Sequence, residues 1–288
     1  MSTSIRHLSR QTLSRGLVQV SLDLKTLDDA LKMASVAVAA GADWLEIGTP
    51  LALSQGTIAV KELRNAFPAH PLVADLKIMD GGYGEAALYA DAGADAVVVM
   101  GRAHDATIER VCAAARDTGL LVMGDDLGAG DPVAEARRME ALGVGMVLHH
   151  TGHDHRSAHP ELKLSPLTDL PAIVAATTIP VQAVGGLGID QAVSCPSLGA
   201  GVVVFGAPLV IDDEKSFTIT DGDLLGVLTA AIARVHAQEV VYRALPLQDR
   251  AITGRSNETT CHAVHRSVDR PAARRGGEAG RRLGLRRA

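Results

Sequence analysis

The sequence predicts a (β/α)8 barrel, an α/β fold, and three observations support this prediction. Eight short apolar runs alternate with Ala-rich amphipathic runs of helical periodicity. The connections between the runs are short, as they are in this barrel. Aromatic residues make up only 2% of the 288 residues, so Val, Leu, Ile and Ala must form the core, which suits parallel strands covered by helices. An open doubly wound sheet is the rival fold, but it normally has a glycine-rich first turn, and VSLDLKTL contains no glycine.

Each predicted strand is an apolar run that leads into a polar or glycine-rich turn. In chain order the runs are LVQVSLD (17–23), WLEIGTP (44–50), LVADLKI (72–78), AVVVMG (96–101), LLVMGDD (120–126), GMVLHHTG (145–152), IPVQAVGG (179–186) and GVVVFG (201–206). The first helix shows the pattern of the runs between them, with Asp28 and Asp29 in its first turn and Gly41 at its end. A longer loop covers 207–222, and the final helix is predicted within 221–241.

The composition divides the chain into an N-terminal extension (1–16), the barrel (17–241) and a basic tail (242–288). Residues 241–288 hold eleven Arg, no Lys and four acidic residues, which gives this segment a net charge of +7. Because the whole chain has a net charge of −5, residues 1–240 have a net charge of −12. An acidic barrel is a poor candidate for binding nucleic acid. The Arg/Gly/Ala-rich tail lacks apolar periodicity, so we expect it to be disordered.

The sequence also predicts a cytoplasmic protein. No apolar run approaches the ~18 residues of a membrane span, and the Ser/Arg-rich N-terminus has no apolar segment typical of a secretory signal. The three cysteines, Cys112, Cys195 and Cys261, have neither metal-site nor disulfide spacing, which favours a reducing compartment.

Charged residues collect where the predicted strands end, which is where such barrels carry their chemistry. The members of this set are Asp23, Glu46, Asp75, Lys77, Asp125, Asp126, His149 and His150. Asp75 and Lys77 are two residues apart and therefore face the same side of a strand. A structural ion pair would explain these two alone. Several carboxylates around one lysine need a cation, a proton or a polar ligand, and Mg²⁺ suits an all-oxygen set.

Glycines follow the last two strands, at Gly185 and Gly186 and at Gly206 before Ala207. These loops commonly bind phosphate through backbone N–H groups in barrels of this kind, so we expect a phosphorylated substrate.

The run HHTGHDH (149–155) raises the possibility of a zinc site. Adjacent residues on a strand face opposite sides, and the spacing matches no standard zinc pattern, so one inward histidine that transfers protons is the better interpretation.

With these residues assembled, the chain resembles the orotidine-monophosphate-decarboxylase-like barrels, and within them the 3-hexulose-6-phosphate synthases. The similarity extends from about Val18 to Val210 and rests on VSLDL, LEIGTPL, VADLKIMDGG, GRAHDATI, GDP, HHTGHD and AVGGL. D-x-K-x-x-D is the signature of the group, whereas LEIGTPL and H-T-G-x-D favour the synthases. In the related 3-keto-L-gulonate-6-phosphate decarboxylases an Arg typically stands three residues after the corresponding histidine, where this chain has His153. The long loop at 207–222 and the Arg-rich tail depart from the family pattern.

The resemblance implies a role for each matching residue. Glu46 and Asp75 match ligands of Mg²⁺ (or Mn²⁺). Lys77 matches the lysine that steadies an enediolate oxygen, and Asp23 matches an aspartate that supports the substrate and the Lys77 charge.

Three further matches complete the implied site. His150 matches the proton-transfer group, and Gly186 and Gly206 match the phosphate-binding loops. Asp80 matches an aspartate that enters the neighbouring subunit's site, which implies a homodimer with shared active sites.

The implied activity is that of a lyase, an aldol condensation of formaldehyde with D-ribulose 5-phosphate that gives 3-hexulose 6-phosphate, and its reverse. A Schiff base at Lys77 is disfavoured, because flanking carboxylates would keep the amine protonated. Two alternatives stay open: a 3-keto-L-gulonate-6-phosphate decarboxylase acting through the same enediolate, and a non-catalytic barrel whose tail binds nucleic acid or an acidic partner.

Overall fold

A closed barrel of eight parallel strands, in the order β1 to β8, forms the centre of the described part of the chain. The structure is a computed structural model that describes residue 5, residues 8–206 and 223–242, and the backbone of 209–212 and 215–217. Ring closure by pairing of β1 with β8 excludes the open doubly wound sheet and confirms the predicted barrel.

All eight predicted strands are present, and most are one to three residues shorter than the apolar runs. Their bounds are β1 Leu17–Leu22, β2 Trp44–Ile47, β3 Leu72–Ile78, β4 Ala96–Met100, β5 Leu121–Asp125, β6 Met146–His150, β7 Val181–Val184 and β8 Val202–Gly206. The polar and glycine residues at the ends of the runs leave the hydrogen-bonded ladder and form the loops at the carboxyl edge of the barrel.

Ten helices lie in the described part of the chain, most of them between successive strands. Their bounds are α1 Leu27–Ala40, α2 Thr49–Gln55, α3 Thr57–Ala66, α4 Gly82–Ala92, α5 Asp105–Thr118, α6 Pro132–Ala141, α7 His153–Ala158, α8 Leu170–Ala176, α9 Ile189–Ser194 and α10 Leu224–His236. Helix α1 begins where the Thr26 hydroxyl accepts a hydrogen bond from the Asp29 N–H (3.2 Å), and it ends at Gly41, whose φ is 98°. The predicted stop at Gly41 is therefore confirmed.

Part of the N-terminal segment packs on the barrel. Ile5 and Leu13 are buried in one apolar cluster with Trp44 and Met146. The Arg10 guanidinium donates hydrogen bonds to the carbonyls of Ile179 and Val174, at 2.9 Å each. These described residues of the predicted extension thus contribute to the stability of the barrel.

The region predicted as a long loop after β8 contains a two-stranded antiparallel sheet, β9 (Leu209–Asp212) paired with β10 (Lys215–Phe217). The basic tail predicted to be disordered lies outside the described residues from 243 onward. No helix in the described ranges combines the length and apolar character needed to cross a membrane.

Candidate active site

A cavity of about 690 Å³ opens where the barrel strands end. Its wall includes eight of the predicted site residues, namely Asp23, Glu46, Asp75, Lys77, His150, Gly185, Gly186 and Gly206. They come from six different strands or the loops that follow them, so closure of the barrel brings them together.

Lys77 lies between two carboxylates. Its Nζ is 2.5 Å from Oδ2 of Asp75 and 3.9 Å from Oδ2 of Asp125. Burial alone would lower the pKa of Lys77, but the charges of Asp75 and Asp125 outweigh burial and raise it. Lys77 is therefore an ammonium at neutral pH, which argues against a Schiff base.

The chain leaves regular strand geometry at this lysine. Lys77 has φ 49°, in the left-handed region that L-residues rarely adopt. Ala74 pairs with Val97 and Ile78 with Val99, so three residues of β3 lie opposite one of β4 in a bulge. The prediction that Asp75 and Lys77 share a side is confirmed by their contact, although the local path is not that of a regular strand.

Glu46 is buried, and a relay of two glutamine side chains orients it. The amide of Gln182 donates to Oε1 of Gln19 (3.0 Å), and the amide of Gln19 donates to Oε2 of Glu46. Burial, followed by the charges of Asp75 and Asp23, raises the pKa of Glu46 to about 8. Gln19 thus donates a hydrogen bond to the carboxyl group of Glu46, while the negative charges of Asp75 and Asp23 disfavour its ionised form.

Asp23 occupies a narrow space between two glycines. A Cβ on Gly48 would lie 2.2 Å from its Oδ1, and one on Gly206 would lie 3.2 Å from its Oδ2. Burial, followed by the charge of Asp75, raises the pKa of Asp23. Glycine at position 48 is therefore needed for this carboxylate to face the cavity.

The two adjacent histidines have separate surroundings. His150 lines the cavity and contacts Oδ2 of Asp125 through Nδ1 (2.9 Å), whereas His149 contacts Oδ2 of Asp126 through Nδ1 (2.7 Å). Burial alone would raise the pKa of Asp125, but His150 and Lys77 outweigh it and lower the pKa. Because Asp125 stays ionised and accepts from Nδ1–H, Nε2 of His150 is the basic nitrogen that remains.

Two predicted site residues are not part of this wall. Asp80 is exposed, lies beside a second and smaller depression with Tyr83 and Arg110, and accepts a hydrogen bond from the Gly81 N–H (2.8 Å). Ala207 lies outside the described residues.

The carboxylates fit a hard divalent cation. Oδ1 of Asp75 is buried and has no hydrogen-bond partner within the described chain, and the raised pKa of Glu46 marks crowded negative charge. No three His, Cys, Asp or Glu side chains of the described ranges already converge as a metal cage. Mg²⁺ commonly takes only one or two protein carboxylates and completes its shell with water and substrate oxygens, so Asp75 and Glu46 are suitable ligands.

Sequence reasoning missed several residues of the wall. Arg156 reaches the cavity from α7, one helical turn after His153, and this i,i+3 spacing was the available signal. Gln19 does not line the cavity but donates a hydrogen bond to Glu46 from behind it; its place on β1, at even spacing from Asp23, indicated the interior side. No local signal marked Gln182.

The closed barrel, with acids, a lysine and a histidine at the carboxyl ends of its strands, defines a (β/α)8-barrel enzyme. Residues 16–164 match the family model described as "Orotidine 5'-phosphate decarboxylase / HUMPS family". The chain belongs to this family.

Relatives within the family narrow the resemblance. A 3-hexulose-6-phosphate synthase of Mycobacterium gastri is 33% identical over 195 residues, which are 67% of this chain and 90% of that protein. A 3-hexulose-6-phosphate synthase of Bacillus subtilis (strain 168) is 37% identical over 137 residues, which are 48% of this chain and 65%, just under two thirds, of that protein. The resemblance to the synthases is confirmed, and the chain is an enzyme of the lyase class.

Solved structures agree on the fold. The crystal structure of a 3-hexulose-6-phosphate synthase from Salmonella typhimurium matches with a TM-score of 0.66 and 28% identity, covering 76% of this chain and all of that one. A 3-keto-L-gulonate-6-phosphate decarboxylase from Vibrio cholerae matches with a TM-score of 0.63 and 25% identity, covering 77% and 99%. Backbone shape alone therefore does not separate the two activities.

Proposed function

We propose that the enzyme joins formaldehyde to D-ribulose 5-phosphate to give 3-hexulose 6-phosphate, and catalyses the reverse cleavage, with Mg²⁺ or Mn²⁺ bound. The observation that carries this proposal is the cluster of Glu46, Asp75, Lys77 and His150 in one cavity. The relative from Mycobacterium gastri, matched over 90% of its length, bears the name of this synthase.

His150 is the proposed base. Its Nε2 takes the proton from C1 of ribulose 5-phosphate, and the electron pair of the broken C–H bond forms an enediolate. Asp125 holds the ring through Nδ1 and stabilises the imidazolium that results, as the carboxylate of a catalytic triad does. C1 then forms a bond to the carbon of formaldehyde, whose oxygen takes the proton from the His150 imidazolium, so that the base is regenerated.

Lys77 offsets the charge of the enediolate. Its ammonium is held in place by Asp75 and Asp125, so it needs little reorganisation when negative charge develops. Asp23, which lines the same cavity, supports the substrate and the position of Lys77. Glu46 and Asp75 would hold the cation, which when bound supplies electrophilic polarisation of the ketone and a neighbouring hydroxyl.

The shared-site homodimer is also a proposal. Asp80 is exposed and outside its own cavity, and it adjoins Met79, an exposed apolar side chain. Leu53, Ile58 and Leu88, on α2, α3 and α4, are exposed as well. An apolar surface next to an aspartate fits contact with a second subunit.

A second candidate, the 3-keto-L-gulonate-6-phosphate decarboxylase reaction, is favoured by one observation. The sequence has His153 where those decarboxylases typically have Arg, but Arg156 brings a guanidinium into the cavity from one turn further along α7. Release of CO₂ from 3-keto-L-gulonate 6-phosphate without any formaldehyde-dependent activity would decide for this candidate.

The direct test is formaldehyde-dependent consumption of D-ribulose 5-phosphate, with Mg²⁺ and with EDTA. We expect turnover that EDTA removes and that Mg²⁺ or Mn²⁺ restores. Asp75→Ala and Lys77→Ala should each lower kcat by about 10²- to 10³-fold or more, because Lys77 offsets the charge of the enediolate and Asp75 holds both the cation and Lys77.

Matched controls come from the exposed ion pair on α1. Asp28→Ala and Lys32→Ala remove the same charges far from the cavity, from residues whose Nζ and Oδ2 are 2.5 Å apart, and should retain activity. Substantial turnover by Asp75→Ala or Lys77→Ala, with a normal circular dichroism spectrum, would contradict the assigned roles.

A further inference from the structure

Arg156 has an unusual position for a charged side chain of α7. It lies against the backbone of Gly186, so closely that a Cβ on Gly186 would be 1.8 Å from its Nη1. Its Nε donates a hydrogen bond to the carbonyl of Thr151 (3.2 Å), which holds the guanidinium plane in place. Glycine at 186, with φ 65°, is therefore required both by the backbone conformation and by the space that Arg156 occupies.

The charge of Arg156 is not balanced by any carboxylate of the described residues. No carboxylate in the described part of the chain forms an ion pair with it, whereas Arg10, Arg15, Arg64 and Arg138 are all held by several acceptors. The side chain is half-buried in the cavity wall, and burial lowers the pKa of Arg156. A half-buried cation without an acidic partner carries an uncompensated cost that an anion in the cavity would offset.

The neighbouring backbone supplies further donors. Among residues 8–206 and 223–242, no acceptor takes a hydrogen bond from the N–H groups of Gly185 or Gly186. The η nitrogens of Arg156 likewise have no acceptor in these ranges. Unused backbone and guanidinium donors thus meet at one place on the wall, which is the arrangement that binds phosphate through several charge-assisted hydrogen bonds.

We propose that Arg156 is the charged half of the phosphate site, and that it binds the phosphate group of the sugar substrate together with the Gly185–Gly186 backbone. The phosphate group as ligand rests on the proposed function. The assignment of Arg156 rests on its contact with Gly186 and on the absence of an acidic partner among the described residues. Arg156 lies against the loop after β7, whereas Lys77 contacts Asp75 and His150 contacts Asp125, so Arg156 is assigned to the phosphate end rather than the bond-forming end of the substrate.

The test compares Arg156→Ala with Arg137→Ala, which removes the same charge from an exposed position on α6. Arg156→Ala should raise KM for D-ribulose 5-phosphate and the inhibition constant of inorganic phosphate by about 10- to 100-fold each, the usual cost of a lost charge-assisted hydrogen bond pair. Its kcat should stay within about threefold of wild type, since binding that is equal in ground and transition states affects KM alone. Arg137→Ala should change neither constant.

Two results would overturn the assignment. One is an unchanged inhibition constant for inorganic phosphate. The other is a loss of kcat at constant KM, which would place Arg156 at the reacting carbon atoms.

A second measurement uses the unmodified enzyme, so it does not depend on folding of the variant. Phenylglyoxal should modify Arg156 more slowly when inorganic phosphate is present, while modification of Arg137 stays the same, with both followed by mass spectrometry. Equal modification of Arg156 with and without phosphate would contradict the proposal. Protection by phosphate in an enzyme without formaldehyde-dependent activity would support the Arg156 site while rejecting the proposed reaction.

Discussion

At the scale of single residues, one buried carboxylate links the two groups on which the proposed chemistry depends. Asp125 is fully buried, yet its Oδ2 contacts both His150 and Lys77, and its Oδ1 accepts a hydrogen bond from the Leu127 N–H (2.9 Å). These contacts keep it ionised in a place where an isolated carboxylate would be protonated. The same charge therefore sets the tautomer of His150 and keeps Lys77 protonated.

Glu46 allows a prediction about metal binding and pH. Without a cation, its pKa of about 8 leaves it mostly protonated at neutral pH. A cation needs the carboxylate, so Mn²⁺ affinity should rise by about tenfold per pH unit up to about pH 8 and level off above it. Electron paramagnetic resonance titration of free Mn²⁺ between pH 6 and 9 measures this.

The same raised pKa affects stability. Since the folded pKa of Glu46 lies above its unfolded value, the metal-free protein should lose stability as pH rises from about 4.5 through about 8.

Two variants test the role of Glu46 in Mn²⁺ binding. Glu46→Gln should bind Mn²⁺ weakly at every pH, whereas Glu62→Gln, an exposed change on α3, should behave as wild type. A flat Mn²⁺ affinity between pH 6 and 8 would be inconsistent with this role.

At the scale of elements, the bulge in β3 shows the limit of reasoning from alternation. The D-x-K spacing correctly predicted one shared side for Asp75 and Lys77. The left-handed backbone at Lys77 was not predictable, because such strain costs about 1–3 kcal/mol and persists only where the surrounding structure enforces it. Ala74 pairs with β2 and β4 before the bulge and Ile78 pairs with β4 after it, and these pairings supply that constraint.

The side chain of Asp43 contacts β1, the end of α10 and the N-terminal segment, and these contacts allow a prediction about stability. Its Oδ2 accepts from the Val18 N–H of β1 (2.8 Å) and contacts Nε2 of His236 at the end of α10 (2.7 Å), while Oδ1 pairs with Arg15 (3.0 Å). Asp43→Asn should lower the free energy of unfolding at pH 7 by about 1–3 kcal/mol, as expected for hydrogen bonds to a charged group. Urea denaturation measures the change, with Asp28→Asn as the exposed control.

The pH dependence of this effect follows from the pKa of Asp43. Burial alone would raise that pKa, but the hydrogen bonds from His236 and Val18, with the charges of His236 and Arg15, outweigh burial and lower it. The stabilisation is therefore present above the unfolded pKa near 3.9 and is lost as pH falls through the lowered folded value. The difference between Asp43→Asn and wild type should shrink as pH falls below about 4. A difference that grows in acid would contradict the assignment.

At the scale of the whole molecule, the position of Asp80 bears on assembly. A residue of the D-x-K-x-x-D segment that faces solvent outside its own cavity is explained if a second subunit receives it. Leu53, Ile58 and Leu88 are exposed apolar side chains on α2, α3 and α4. We propose that they form one subunit interface together with Asp80.

Mixed dimers test this arrangement. Lys77→Ala and Asp80→Ala subunits should each be inactive alone. After unfolding and refolding an equal mixture, half of the dimers are mixed and carry one intact site, so about a quarter of wild-type activity should return. If Asp80 acted in the active site of its own subunit, every active site in the mixture would contain either Lys77→Ala or Asp80→Ala, and no activity would return.

The sequence by itself determined the eight-stranded barrel, the positions of its strands, the shared side of Asp75 and Lys77, and the opposite sides of His149 and His150. These features follow from burial of neighbouring residues at periods of 2 and 3.6, which a linear sequence records directly. Only the tertiary structure decided that Gln182 donates to Gln19, 163 residues away, and that Arg156 meets Gly186. Such contacts depend on closure of the barrel and on side-chain conformations across it, and no local periodicity encodes them.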